Sequence, residues 1–187
     1  MGTRGLFGFR KNNKDKAVYN HYDSYPDWLG KHFLRLIVHN KKDISPMFDR
    51  MIDIQNTTPT EEQKKYCMKM GWYDGSVSTR SDTDWYCLLH GLQDIRDWED
   101  IIHNTIYFEN SISFIKDSLF CEYAYIYDID NNILEVYKGF QKQPDFENRY
   151  GTKDRRGYYP CKLVDKIKIT DDIDIMQTVC RMNEMTS

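Results

Sequence analysis

The sequence predicts an α+β fold, in which helices pack on an antiparallel sheet built from an N-terminal and a C-terminal hairpin. Near each end of the chain, two alternating apolar stretches flank a short Asn- and Asp-rich turn, which is the pattern of a β-hairpin. Apolar residues at helical spacing lie between the hairpins. A chain of 187 residues, 40% of them apolar, can bury roughly 70% of its unfolded surface, so we expect a single domain over residues 1–187.

The first hairpin is predicted from a strand at residues 3–9, a polar turn at 10–15 and a second strand at 16–20. Pro26 should end this strand region, and the carboxylate of Asp27 is suited to cap a helix. The apolar residues of that helix recur on one face, at Leu29, Phe33, Leu36 and Ile37.

A second helix start is predicted where Thr58 supplies a capping hydroxyl, Pro59 the first helical position and Glu61 an acid in the first turn. This helix should run to about Met70 and stop at Gly71, since glycine favours a helix C-terminus.

Residues 71–82 show little periodicity and are predicted as a loop, with Ser81 or Asp82 capping the next helix. More helix should follow through Trp98 and Ile102. The apolar positions of the capped helix are Trp85, Leu88, Leu89 and Leu92.

The second hairpin has the clearest strand pattern, with alternating residues at 121–129 and 133–140 around a turn at 130–132. A polar and basic loop, which we expect to be mobile, a short strand and a terminal helix complete the chain, predicted at 141–159, 159–169 and 173–185.

Several function classes lack support in this sequence. The chain shows neither an apolar run long enough for a membrane span nor a secretory signal, so we expect it to be cytoplasmic. Motifs for nucleotide binding, zinc proteolysis and serine hydrolysis are also absent. The histidines show no metal-ligand spacing, so we predict neither metal nor cofactor. Buried, reduced thiols are expected at all five cysteines, Cys67, Cys87, Cys121, Cys161 and Cys180.

Positive charge is concentrated in residues 1–42, which carry nine Lys or Arg against three acids, a net charge of +6. Because local potential steers association, this segment suits a phosphate-bearing or acidic partner, although a solvated basic face explains it equally. The candidate nucleic-acid-binding residues are the cations of the first turn and of the later loop, namely Arg10, Lys11, Lys14, Lys16, Arg149, Arg155 and Arg156.

The candidate catalytic residues lie in a polar cluster at residues 19–25, Tyr-Asn-His-Tyr-Asp-Ser-Tyr. In a strand, Tyr19, His21 and Asp23 share one face, where a carboxylate can orient the imidazole and the phenol can donate a proton. Arg4, on the partner strand, could clamp an anion beside them or form an ion pair with Asp23.

A structural alternative stays open for the same residues. In that interpretation, Asp23 and Ser24 cap the following helix, while Asn20 and His21 bind the backbone at the strand end.

The opening Met1-Gly-Thr-Arg-Gly5 and the stretch Tyr19-Asn-His-x-Asp-Ser-Tyr-Pro26 resemble a widespread family of phage, plasmid and bacterial proteins. Residues 117–125 and 134–140 resemble the same family, which implies a mobile-element origin rather than an activity. The chain is also similar in type to anti-CRISPR proteins of Gram-positive mobile elements, some of which disable Cas9 by truncating its guide RNA. That resemblance implies a counter-defence role, with Cas9 and its guide RNA as the partner.

Three functions are therefore expected in order of support. The first is RNA cleavage or guide-RNA binding, in which His21, Tyr19 and Arg4 supply an acid/base pair and a cation. The second is a non-catalytic binding module that uses aromatic side chains and the 141–159 loop. The third is an amide hydrolase, since the opening is similar to that of N-terminal-nucleophile hydrolases, although Gly2 has no side chain and Thr3 is not terminal.

Overall fold

The structure is a computed structural model that describes residues 2–77 and 83–187. Its strands are β1 (Gly5–Lys11), β2 (Lys14–Asn20), β3 (Met51–Asp53), β4 (Ile106–Phe108), β5 (Tyr123–Asp128), β6 (Ile133–Lys138) and β7 (Lys162–Lys168). Its α-helices are α1 (Lys31–His39), α2 (Lys41–Arg50), α3 (Glu61–Lys69), α4 (Trp85–Leu88), α5 (Trp98–Ile101) and α6 (Ile175–Thr186).

The central sheet has five strands in the order β2-β1-β5-β6-β7. Both predicted hairpins are present, and the α+β fold class is confirmed. One pairing differs from the prediction: β1 and β5 run parallel, with Phe7 opposite Tyr125, while the other neighbours are antiparallel. A parallel pair needs a connection that returns to the starting end of the first strand; here β2 returns the chain, and residues 21–122 lead on to β5.

The first hairpin turn is tighter than the predicted span of residues 10–15. Asn12 and Asn13 both have positive φ, 50° and 61°, which matches the two-residue turn that follows the twist of the strands. The ladder therefore extends to the pairing of Lys11 with Lys14.

Apolar residues are buried on both faces of the sheet. On the larger face, Phe7 and Phe9 point toward the helices and pack against Phe33 and Trp98. On the smaller face, Leu6 packs with residues from β5, β6 and a 3₁₀ segment at Ile112–Lys116. Strand alternation places these neighbours on opposite faces.

Two helix starts differ from their predictions. A π-helical turn at Pro26–Gly30 precedes α1, and its N-cap residue is Tyr25, without a side-chain hydrogen bond, rather than Asp27. Helix α3 is capped by Thr60, not Thr58, in a capping box with Gln63. In α3 the proline therefore lies before the cap instead of inside the first turn.

The helix predicted at Trp85 to Leu92, and the further helix predicted through Trp98 and Ile102, are broken into short pieces. Asp84 caps α4, and Asp94 caps a 3₁₀ turn at Ile95–Asp97. Between them, the Gly91 amide donates to Trp72, and a Cβ at Gly91 would lie 2.9 Å from the Trp72 Cα. This close approach interrupts the helix. The caps predicted at Ser81 and Asp82 lie outside the described residues.

The C-terminal elements occur close to their predicted positions. β7 begins after Tyr159, and α6 extends one residue beyond the predicted end. Within the 141–159 segment, Gln141 pairs with Tyr159, and the Asn148 side chain donates to the Cys161 carbonyl oxygen. Helix α2 and the short parallel pair of β3 and β4 were not predicted.

Within the described ranges, no helix combines the length and apolar character needed to cross a membrane.

Candidate functional site

A cleft of about 410 Å³ opens between the end of β2 and the 90–97 segment. The end of the first hairpin forms one wall, and the broken helical region forms the other. The side chains that could bind or react with a ligand there are His21, Tyr22, Asp23, Trp28, His90 and Arg96.

The turn after β2 is held by Asn20 and Ser24. The Asn20 side-chain amide donates to the Tyr22 carbonyl oxygen and, at 2.8 Å, to the Ser24 hydroxyl. Ser24 is fully buried, and its amide donates to the Thr3 carbonyl oxygen. Asn20 thus binds backbone, as the structural alternative expected, but Asp23 and Ser24 do not cap the following helix.

Asp23 leaves the strand pattern because β2 ends at Asn20 and the φ of Asp23 is 50°. Its carbonyl oxygen accepts from Leu29, and its side chain is exposed at the cleft. Among the described contacts there is neither a His21–Asp23 hydrogen bond nor an Arg4–Asp23 ion pair.

Tyr19 is the hydrogen-bond partner of His21, with 2.7 Å between the phenol oxygen and Nδ1. Burial, then the charges of Arg4 and His90, lower the pKa of His21 below 6.5. Burial also raises the pKa of Tyr19. At neutral pH the imidazole is therefore neutral and the phenol protonated. When Nδ1–H donates to the Tyr19 oxygen, Nε2 keeps a lone pair and can act as a base.

The Arg4 guanidinium lies outside the cleft lining. It sits 5.7 Å from the centre of the Phe120 ring, and Arg156 lies 5.1 Å from the same ring. Arg4 is still close enough for its charge to lower the pKa of His21. His21 and Asp23 thus both line the cleft but do not share a strand face, and Arg4 affects His21 only through its charge.

His90 is the site residue that the sequence did not predict. It lines the same cleft as His21, and its Nδ1 lies 3.7 Å from an oxygen of Asp74. In the sequence it stands in an apolar run, far from residues 19–25. Only the broken helix brings the two imidazoles to one cavity.

Trp28 and Arg96 form the outer wall of the cleft. The indole is 41% exposed, and the Arg96 guanidinium lies 5.4 Å from its ring centre. Arg96 also binds both carboxylate oxygens of Asp94, and these hydrogen bonds lower the pKa of that carboxyl. A paired cation and an open aromatic ring therefore face the ligand space.

Most of the predicted nucleic-acid-binding cations of the first turn have partners within the chain. Arg10 pairs with Asp15 at 3.0 Å, and Lys11 with Asp49 at 2.6 Å. The Lys16 amine donates to two backbone carbonyl oxygens, and burial lowers its pKa. Lys14 is exposed.

In the later loop, two of the three predicted cations pair with acids of the chain, and the third is exposed. Arg149 pairs with Glu135 at 2.6 Å, while the more exposed Arg156 pairs with Asp117 at 3.1 Å. Arg155 is exposed. Nucleic-acid binding by these residues stays a prediction.

Two further expectations concern thiols and the N-terminus. None of the five cysteines forms a disulfide, and four of them are buried. Cys180 is exposed, contrary to the prediction. Thr3 is only 3% exposed, so its hydroxyl is not open to a substrate.

In the part of the chain that the structure describes, no group of three or more His, Cys, Asp or Glu could hold a metal ion.

Models of known protein families, curated proteins and solved structures were each compared with the chain, and none of the three gave a match. Function therefore has to be inferred from the cleft itself.

Proposed function

We propose that the cleft cleaves RNA, and that the substrate is the guide RNA of Cas9 in the host cytoplasm, a counter-defence role. The observation that carries the proposal is the pair of imidazoles, His21 and His90, on one open cavity. The phenol bound to His21 is the second element, because its hydrogen bond to Nδ1 orients the ring and, when Nδ1–H is the donor, leaves Nε2 free to act as a base.

The chemistry assigned to the two imidazoles is transfer of the phosphoryl group within the RNA chain. Neutral His21 takes the proton from a ribose 2′-hydroxyl, whose oxygen attacks the adjacent phosphorus. His90 donates a proton to the departing 5′-oxygen. The products are a 2′,3′-cyclic phosphate and a 5′-hydroxyl end, and the proton count is unchanged over the step.

The rest of the cleft suits a nucleotide. Exposed aromatic rings stack on unpaired bases, and Tyr22 and Trp28 are 61% and 41% exposed. The cation of Arg96 lies on the same wall, where it can face a phosphate.

Replacing His21 with glutamine should slow cleavage of labelled guide RNA at least about 100-fold, since a general base contributes that much or more. Single-turnover gel assays with free guide RNA and with the Cas9 complex would measure the rate and the cyclic phosphate product. His103→Gln is the matched control, because this imidazole is exposed and lies near Asp43 rather than in the cleft. Equal cleavage by both variants would contradict the role of His21.

The pH profile gives a second test of the same base. Cleavage should increase with pH through an apparent pKa below 6.5, because His21 must be neutral and its pKa is lowered. Arg4→Gln removes one of the causes, so the acidic limb should move to higher pH. Arg155→Gln is the control. If the apparent pKa of the acidic limb is the same in Arg4→Gln as in the wild type, a group other than His21 controls the rate.

A non-catalytic binding module is the second candidate. The observation that favours it is the set of exposed rings near the later loop, with Phe120, Phe140 and Phe146 at 38%, 46% and 85% exposure. In that case guide RNA stays intact while Cas9 loses activity. Reversing the charges of Arg155 and Arg156 then abolishes inhibition, and His21→Gln has no effect.

A further inference from the structure

Three cavities on this side of the molecule share walls. The cleft of about 410 Å³ and an apolar hollow of about 90 Å³ are both lined by Gln93. The hollow and a third cavity of about 310 Å³ are both lined by Trp85, Tyr86 and Glu109. Because the hollow shares lining residues with each of the other two, the three cavities lie in a row, which we call the groove.

The hydrogen-bonded pair of Tyr19 and His21 spans the boundary between the first two cavities of this groove. His21 lines the large cleft, and Tyr19 lines the neighbouring hollow. A ligand seated at His21 therefore has room to continue in both directions.

An exposed aromatic ring stands on each side of that pair. Trp28, 41% exposed, lies on the wall of the large cleft, and Tyr86, 44% exposed, borders the hollow and the third cavity. Flat rings stack on any unpaired base, whereas the bases of a duplex already stack on one another.

We infer that the groove binds an internal segment of single-stranded RNA, with at least one base stacked on each side of His21. This inference rests on the proposed function. It adds that the RNA substrate is single-stranded and that an internal part of the strand lies at His21. The bond that is cut then lies inside a strand, and a paired region is not a substrate.

Binding can be measured separately from cleavage in the His21→Gln protein, with a fluorescent single-stranded RNA of twelve nucleotides. Adding Trp28→Ala or Tyr86→Ala should weaken binding about tenfold each, since stacking on one base contributes about that much. Phe146→Ala is the matched control, because this ring is 85% exposed and lies outside the groove, and it should change binding less than twofold. The same RNA annealed to its complement should bind more than tenfold more weakly.

The outcomes separate this inference from the proposed function. Binding that depends on both rings, without cleavage by the wild-type protein, supports the groove and overturns the ribonuclease. Cleavage with a KM unchanged in both ring variants overturns the groove and leaves the ribonuclease. Equal binding of duplex, or capture of RNA-free Cas9 that Trp28→Ala abolishes, also overturns the groove as a single-stranded RNA site.

Discussion

Replacing Trp98 with alanine should lower the free energy of unfolding by about 3–5 kcal/mol, the usual cost of removing a fully buried tryptophan. Trp98 has no exposed surface, and its ring centre lies 5.1 Å from that of Phe7 and 6.0 Å from that of Phe9. Its indole N–H also donates to the Leu92 carbonyl oxygen, so the variant leaves both a cavity and an unpaired acceptor. Urea denaturation followed by circular dichroism would measure the change.

The control for this variant is Trp28→Ala, because that indole is 41% exposed. We expect a loss below about 1 kcal/mol there, as for most surface substitutions. Similar losses in the two variants would contradict the importance of the packing against β1. Since Leu92 belongs to the segment that carries His90, Trp98→Ala should also reduce cleavage.

Replacing Arg149 with methionine should destabilise the protein by about 3–5 kcal/mol, because it leaves a buried carboxylate without its cation. Glu135 is only 4% exposed, and Arg149 binds it at 2.6 Å while lying 3.6 Å from Asp15. Methionine keeps much of the side-chain volume, so the change in stability reflects the loss of the positive charge. Thermal or urea unfolding at pH 7 would measure it.

Two controls make this prediction specific. The double variant Arg149→Met/Glu135→Gln should recover a large part of the loss, because the buried charge is then gone. Lys41→Met, which breaks an ion pair with the 95%-exposed side chain of Asp171, should cost no more than about 1 kcal/mol. A single variant as stable as the wild type would show that Glu135 does not need Arg149.

Local pattern was enough to predict both hairpins and the α+β class. Period-two alternation and Asn-rich turns are properties of neighbouring residues, and they place β1, β2, β5 and β6 without any tertiary information. Helix caps were less well predicted, because several nearby side chains compete for one amide. Thr60 caps α3 although Thr58 has the same hydroxyl, since the capping box needs Gln63 three residues later.

The candidate site, too, was predicted only in part. The polar cluster at residues 19–25 was visible as a run of reactive side chains, and His21 does line a cleft. Arg149, by contrast, was predicted to bind nucleic acid from its charge alone, and its partner Glu135 belongs to a strand that the loop reaches only after folding.

The sequence by itself determined the strands of the two hairpins, the approximate place of their turns and the identity of one imidazole, because each depends on residues close together in the chain. Tertiary structure alone decided the parallel pairing of β1 with β5, the break near Gly91 and the meeting of His90 with His21. Each of these features brings together residues that are distant in the chain, and such contacts form only as the chain packs, which no local pattern encodes.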